Sequence, residues 1–350
     1  MKVVYLTELE HLEVANGPKP KIQNPNALLI KIKSVGVCGS DVHYFKHGRI
    51  GRQIVKFPYV VGHECAGIVE AVGSAVKNFK PGDRVVVDPA ISCRKCRQCQ
   101  VGRYHTCENL KFLGTPASAT SAGLDGCLSE YIVMPELSIF ALPASFSFED
   151  GALMEPLTIG YYSVVKGEIQ PEQTAAILGT GPIGLSVLTI LQLKSMKAIY
   201  TTDLIPERVA IAQKMGATHS FNSDQVNAVS QILEREPAGV DLVFECAGEQ
   251  ATIDEAIELL KPGGTLVLIG IPQAERISGD IDLLRRKEIR IQNIRRQNEC
   301  TQPTINAIEA NKSDLSLFKT HRFAPEQAQA AYELVGNYQD GVIKAFINWD

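Results

Sequence analysis

No apolar run in this chain is long enough to cross a membrane; even residues 183–193 are interrupted by Ser186, Thr189 and Gln192. The amino terminus reaches an acid at Glu8, too early for a secretory signal. These absences predict a soluble, cytoplasmic protein. Positive charge is not in excess either: 35 Lys and Arg against 39 Asp and Glu give a net charge of -4 and a pI near 6.0, so no general basic field draws nucleic acid. Internal repeats and low-complexity segments are missing. The nine cysteines are odd in number and four of them crowd between Cys93 and Cys107, which favours metal binding in a reducing compartment over disulfides.

What is present is an ordinary globular composition, 45% hydrophobic and 21% charged, in 350 residues, a length that suggests two domains. Residues 1 to about 150 read as short strands between turn signals, among them 27–35, 67–73 and 83–87, with little helical pattern. A small antiparallel barrel-like domain is expected there. From about 156, short apolar strands at 174–178, 198–202, 240–245, 265–270 and 289–294 alternate with helix-length segments, the pattern of βαβ units on a parallel sheet. A helix-like stretch at 303–310, a helix at 325–335 and a strand at 342–348 follow, without a core of their own.

Three constellations carry chemistry. Gly62-His63-Glu64-Cys65, read with Val37-Cys38-Gly39-Ser40-Asp41 and Glu155-Pro156, offers the thiolate, imidazole and carboxylate donors that suit zinc, in a set small enough to leave a position for water or substrate. Taken singly, Cys38 reads as a small buried hydrophobe and His63 as a core histidine. Cys93, Cys96, Cys99 and Cys107 form two consecutive C-x-x-C spacings and a fourth thiol on one loop, a closed tetrahedral zinc site that clamps the loop. Gly179-Thr180-Gly181-Pro182-Ile183-Gly184 follows a strand and opens a helix, and Asp203 ends the next strand. Such a turn brings backbone against a pyrophosphate, and a carboxylate at Asp203 favours NAD over NADP; as a bland alternative, Asp203 caps the helix behind Pro206. Arg208, nearby, softens that preference if it pairs with a phosphate, and Gly270, closing the strand 265–270, joins the cofactor contacts.

Taken in order, Cys38-Gly-Ser-Asp-Val-His43, Gly62-His63-Glu64, the four-cysteine lobe, Glu155-Pro156 and the glycine turn resemble the zinc-dependent medium-chain dehydrogenases, most of all the polyol dehydrogenases of the sorbitol (L-iditol) type, over essentially the whole chain. That resemblance implies an α/β fold with a GroES-like antiparallel β-barrel catalytic domain at 1–155 and 296–350. It places a Rossmann NAD-binding domain at 156–295, the active site in the cleft, and a homotetramer or dimer. It implies one catalytic zinc on Cys38, His63 and Glu64, with Glu155 as a fourth ligand or the holder of a bound water, and one structural zinc on the lobe. Asp41 would orient His63, Ser40 and His43 would relay the proton, and Tyr44, Phe112 and Arg295 would meet a small polyol. Arg296 stands where the polyol enzymes usually carry tyrosine, and the lobe cysteines are ones that animal sorbitol dehydrogenases tend to lack, so the resemblance stops short of one sugar alcohol.

The expected reaction is transfer of a hydride from a secondary hydroxyl to NAD, giving a ketose. A vicinal diol, sugar acid or polyol phosphate is the variant if both Arg295 and Arg296 point inward; alternation along an extended segment places one of them outward. A non-enzymatic nucleotide sensor would need only Gly181, Asp203 and the lobe, and a zinc-lobed nucleic-acid binder only the lobe with Arg94, Lys95, Arg97 and Arg103. Neither accounts for Cys38, His63, Glu64 and Glu155 beside a dinucleotide fold.

Overall fold

The computed structural model describes residues 1–117, 123–272, 274 and 276–350. The chain divides into two compact units, Met1–Glu155 with Thr301–Asp350, and Pro156–Cys300.

The first unit is built on the strand Ala27–Gly36, whose apolar and β-branched residues are buried along nearly its whole length. It pairs antiparallel with Glu64–Val72, Tyr131–Pro135 and Lys344–Asn348, and the sheet continues through Arg84–Val87 to Ile139–Ala141 at one end. At the other end Lys319–Phe323 pairs with Lys344–Asn348 in parallel, a local departure from the antiparallel pairing expected of this barrel and seen in the rest of the sheet. The helix Ala328–Gly336 between these two strands supplies the crossover that a parallel pair requires. Ala328, Ala331, Tyr332, Val342, Ala345, Ile347 and Trp349 share one core with Leu28, Ile30, Ile32 and Val85, which is how the tail obtains burial that it cannot make alone.

Helix is more abundant here than the strand-rich reading of residues 1–150 expects. Gly39–His47 is a nine-residue helix that buries Asp41, Val42, Tyr44 and Phe45 and stops at Gly48, whose φ of 65° is left-handed. Two turns with an acid on the buried face make no periodic apolar window, so the pattern does not announce it. A second helix, Phe148–Gly167, runs for 20 residues through Glu155 and Pro156, across the change of texture that the sequence shows at about 156. Pro156 removes one N–H from that helix without ending it.

The second unit is a six-stranded parallel sheet in the order His219–Asn222, Ala198–Asp203, Thr174–Leu178, Val240–Glu245, Leu260–Leu268, Arg290–Asn293. The order reverses between Thr174–Leu178 and Val240–Glu245, the switch point at which doubly wound sheets bind their ligands. The edge strand His219–Asn222 is absent from the sequence reading because its four residues are all half-buried and mostly polar. Among the described residues no helix is long and apolar enough to span a membrane.

Candidate active site

Cys38 is the residue before the first turn of the helix Gly39–His47, and His63 and Glu64 stand at the start of the strand Glu64–Val72. Gly36 lies opposite Glu64 in the sheet, and this register brings the three side chains together. Their Sγ, ring nitrogen and carboxylate oxygen all lie within 4.8 Å of one another. Glycine at 36 leaves room for the Glu64 carboxylate, which a Cβ there would push aside.

Asp41, fully buried, places Oδ1 3.2 Å from His63 Nδ1 and accepts the N–H of Gly62 at 3.2 Å. A proton held between Nδ1 and Asp41 leaves the other ring nitrogen with its lone pair free for a cation. Burial opposes charge on His63, but Asp41 and Cys38 outweigh it and raise the imidazole well above its ordinary range. In a site without a cation this is the response expected of an imidazole facing two anionic groups. A sulfur, a nitrogen and an oxygen donor of this kind fit zinc.

Around this cluster stand the other expected residues of the first unit. Ser40 Oγ donates to Cys38 Sγ at 3.3 Å. His43, one turn further along the same helix, is held below the usual imidazole range by burial and by His47, 5.8 Å away between ring centroids. The Phe112 ring lies 5.4 Å from that of His63, whereas Tyr44 belongs to the barrel core with its hydroxyl 3.5 Å from Gln53 Oε1. Glu155 retains an edge open to solvent but is otherwise enclosed by protein. Burial pushes its carboxyl up to about 7, with Glu64 adding to the rise and His63 and Lys344 opposing it. It stands near the three-donor cluster electrostatically but outside it.

The four lobe thiols also converge within 4.8 Å. Cys96 Sγ is 3.5 Å from Cys99 Sγ and 3.8 Å from Cys107 Sγ, and the backbone N–H groups of Cys93 and Asn109 donate to Cys107 Sγ at 3.3 and 3.4 Å. All nine cysteines are free thiols. The Lys95 backbone N–H helps hold Cys93 down at about 6, while burial pushes Cys99 up to about 12, a split that a cation shared by all four would remove.

In the second unit, the glycine turn closes on itself. A Cβ on Gly184 would lie 1.9 Å from Gly179 O, so only glycine permits the helix Pro182–Leu191 to start this close to the strand. Asp203 Oδ2 accepts the N–H of Thr180 at 2.7 Å and its hydroxyl at 3.2 Å, and Oδ1 accepts the N–H of Ile205 at 2.9 Å. Asp203 thus braces the glycine turn and the N–H of Ile205 but makes no cap bond to the helix Pro206–Lys214, whose N-cap is Ile205, so the capping alternative does not describe this side chain. Arg208 lies beside this turn, 3.6 Å from the point where a Gly181 Cβ would be. Gly270, with Glu245, Gly248, Ile271, Asn293 and Ile294, lines a cavity of about 250 Å³ beyond the strand ends.

The alcohol dehydrogenase GroES-like domain model matches residues 24–144, and the zinc-binding dehydrogenase model matches residues 182–310. The sorbitol dehydrogenase of Bacillus subtilis (strain 168) is 35% identical over 348 residues, covering 99% of this chain and 97% of the relative. The chain belongs to the zinc-dependent medium-chain polyol dehydrogenases. L-idonate 5-dehydrogenase of Vitis vinifera is 36% identical and covers 87% of this chain and 82% of its own length. A zinc-binding dehydrogenase of Sinorhizobium meliloti 1021, solved with NADP, superposes with a TM-score of 0.90 at 29% identity, covering 99% of each chain.

Two residues of this dehydrogenase escaped the sequence reading. Lys344 is 1% exposed and places Nζ between the two oxygens of Glu64; a lone lysine inside the apolar run 342–347 was the signal available for it. Thr180, fully buried, ties the glycine turn to Asp203. The substrate arginines need a correction: Arg295 is exposed, and Arg296 has a left-handed φ of 57°, so the backbone is not extended there and alternation cannot assign their directions.

Proposed function

We propose that this zinc-containing dehydrogenase oxidises a secondary hydroxyl of a polyol such as sorbitol or xylitol to the ketose, with NAD as hydride acceptor. The observation that carries the reading is the three-donor cluster of Cys38, His63 and Glu64, which fits a cation while keeping few enough donors to admit a substrate oxygen. Cys93, Cys96, Cys99 and Cys107 would hold a second zinc as a loop clamp. When bound, zinc supplies Lewis acidity toward the hydroxyl and NAD supplies the acceptor for its carbon-bound hydrogen.

The chain's own residues do the rest. Asp41 keeps the His63 ring in one orientation, and Phe112 closes one side of it against water. Ser40, beside Cys38, takes the hydroxyl proton and passes it toward His43, which burial and His47 keep uncharged at neutral pH and so ready to accept it. Glu155, held near 7, either completes the metal site or exchanges a proton with a water there. Gly179, Gly181, Pro182, Ile183 and Gly184 would receive the pyrophosphate, Asp203 the adenosine ribose, and Gly270 the nicotinamide half. Arg208 beside the turn would accommodate a 2'-phosphate, which is how a relative that takes NADP could share this frame. The enzyme is read as a cytoplasmic homotetramer or dimer.

A panel of pentitols, hexitols, vicinal diols, sugar acids and polyol phosphates tests the substrate. Polyols should give the highest kcat/KM, with Arg295→Ala raising KM for them far more than for 2-propanol. Monohydric alcohols as the best substrates would sink the polyol reading. The L-idonate relative keeps a sugar acid as the variant, paired with Arg295 and Arg296.

A further inference from the structure

Thr180 carries the polar side chain of the glycine turn, and it is fully buried. Gly179, at a left-handed φ of 89°, leads the chain out of the strand Thr174–Leu178, and Thr180 then meets the carboxylate of Asp203, one residue beyond the paired Leu178 and Thr202. Two donors of Thr180 reach one oxygen: the N–H donates to Asp203 Oδ2 at 2.7 Å and the hydroxyl at 3.2 Å. Oδ1 accepts the N–H of Ile205 at 2.9 Å. A glycine turn needs no hydroxyl here to approach a pyrophosphate, because backbone makes that contact. The hydroxyl therefore serves something other than the phosphate.

A buried hydroxyl needs a partner wherever it sits, but this partner is the group on which the cofactor reading depends. An ionised carboxylate has about four acceptor directions, two on each oxygen. Thr180 fills both of those on Oδ2, and Ile205 fills one on Oδ1, so the direction that remains is on Oδ1. A ribose presents two neighbouring hydroxyls, each a donor. They cannot both find an open acceptor on a carboxylate held in this way.

We propose that Thr180 closes Oδ2 and makes Asp203 a single-acceptor site, so that one hydroxyl of the adenosine ribose, not both, is held by this carboxylate through Oδ1. The inference rests on the reading of Asp203 as the ribose acceptor and deepens it. Thr180 is a positioning residue, since it acts through Asp203 and touches no reacting atom. The second ribose hydroxyl is left to solvent, and its removal costs the cofactor little.

The test compares NADH with its analogues lacking the 2'- or the 3'-hydroxyl of the adenosine ribose, bound to the zinc-loaded enzyme and followed by nicotinamide fluorescence, without turnover. One analogue should bind within threefold of NADH and the other at least tenfold more weakly, the loss expected for one bond to a charged acceptor. Equal losses with both analogues, or a loss with neither while Asp203→Ala weakens NADH, would overturn the inference. Thr180→Val keeps the shape and removes the donor. It should bring the two analogues to within threefold of each other, because Oδ2 is then held by one bond and the carboxylate is able to turn either oxygen to the ribose. Thr180→Ser, which keeps the donor, should retain the tenfold difference. A difference that persists in Thr180→Val would leave Thr180 a purely structural residue; if that variant does not fold, the analogue series on the natural enzyme and on Thr180→Ser decides. Asp203→Ala separates the premise from the inference: if it binds NADH as tightly as the natural enzyme, the ribose reading of Asp203 itself falls.

Discussion

The two groups of metal-type donors in this molecule make an instructive pair. The lobe takes all four thiols from one loop, residues 93–107, where short C-x-x-C spacings and a one-turn helix, Arg97–Gln100, are enough to bring them within 4.8 Å. The other group assembles donors from two segments of the barrel, braces His63 with Asp41 and Glu64 with Lys344, and has nearby a carboxyl, Glu155, that burial pushes up to about 7. A local, chemically uniform site saturates its cation and can only clamp. A site gathered by tertiary structure from unlike donors keeps a coordination position and a set of proton-bearing neighbours, which is what a reaction needs.

The sharpest way to break this comparison is to remove one donor from each group. Cys38→Ser should lower kcat by about a thousandfold or more with an unchanged far-UV spectrum and at most a small change in Tm, in keeping with loss of metal-assisted chemistry. Cys96→Ser should instead act through folding, lowering Tm or soluble yield while the protein that does fold keeps a large share of its turnover. If the two substitutions had the same profile, the division between reaction and clamp would not hold. Chelation sharpens the same point. Brief treatment should abolish activity while the lobe thiols stay unreactive to a thiol reagent, and added zinc should restore it. Lobe thiols that titrate before activity is lost would reverse the order of the two sites.

Next in size is Asp41→Asn. Its amide no longer specifies which nitrogen of His63 carries the proton, and a loss of roughly 10- to 100-fold in metal affinity or activity is expected, measured by zinc competition and kcat/KM. Asp203→Ser should bring the NAD and NADP rates together; equal rates in the unmodified enzyme would remove the role given to Asp203. Because the Asp203 oxygens also hold Thr180 and Ile205, this substitution should cost about 1 kcal/mol of stability as well, which a urea midpoint would register.

The smallest effect lies in the second unit, which holds neither group of metal-type donors. Burial opposes ionisation of Asp241, but Lys261 and the Thr174 N–H and hydroxyl more than compensate and hold its carboxyl below the ordinary range. A group with a depressed folded-state pKa contributes stability above its unfolded value and loses it as pH falls through the folded one. The stability difference between the natural enzyme and Asp241→Asn should therefore be about 1 kcal/mol at pH 6 to 7 and shrink only below the ordinary carboxylate range. Urea midpoints across pH 2.5 to 7 check it; a difference that does not change with pH would show that the charge is irrelevant.

Legibility followed distance along the chain. The lobe, the glycine turn with Asp203, and Gly62-His63-Glu64 each put several informative residues within a short window, and each is brought together in the fold. The helix Gly39–His47 was missed because Asp41 sits on its buried face, and the strand His219–Asn222 because half-buried polar residues break the alternation of an edge strand. Phe112 beside His63 was reachable only through family likeness, and nothing local marked it off from ordinary packing. The left-handed Arg296 defeated an argument that assumed extended backbone.

Residue order by itself determined which chemistry this protein can hold: the donor types, their closed or open number, the phosphate-binding turn, and the alternation that makes a parallel sheet. Only the tertiary structure decided how those donors are charged and braced. The approach of Lys344 to Glu64 depends on the strand Lys344–Asn348 returning to pair with Ala27–Gly36 at the far end of the chain. Coulombic interaction depends on separation in space and on burial, and neither is a function of sequence distance.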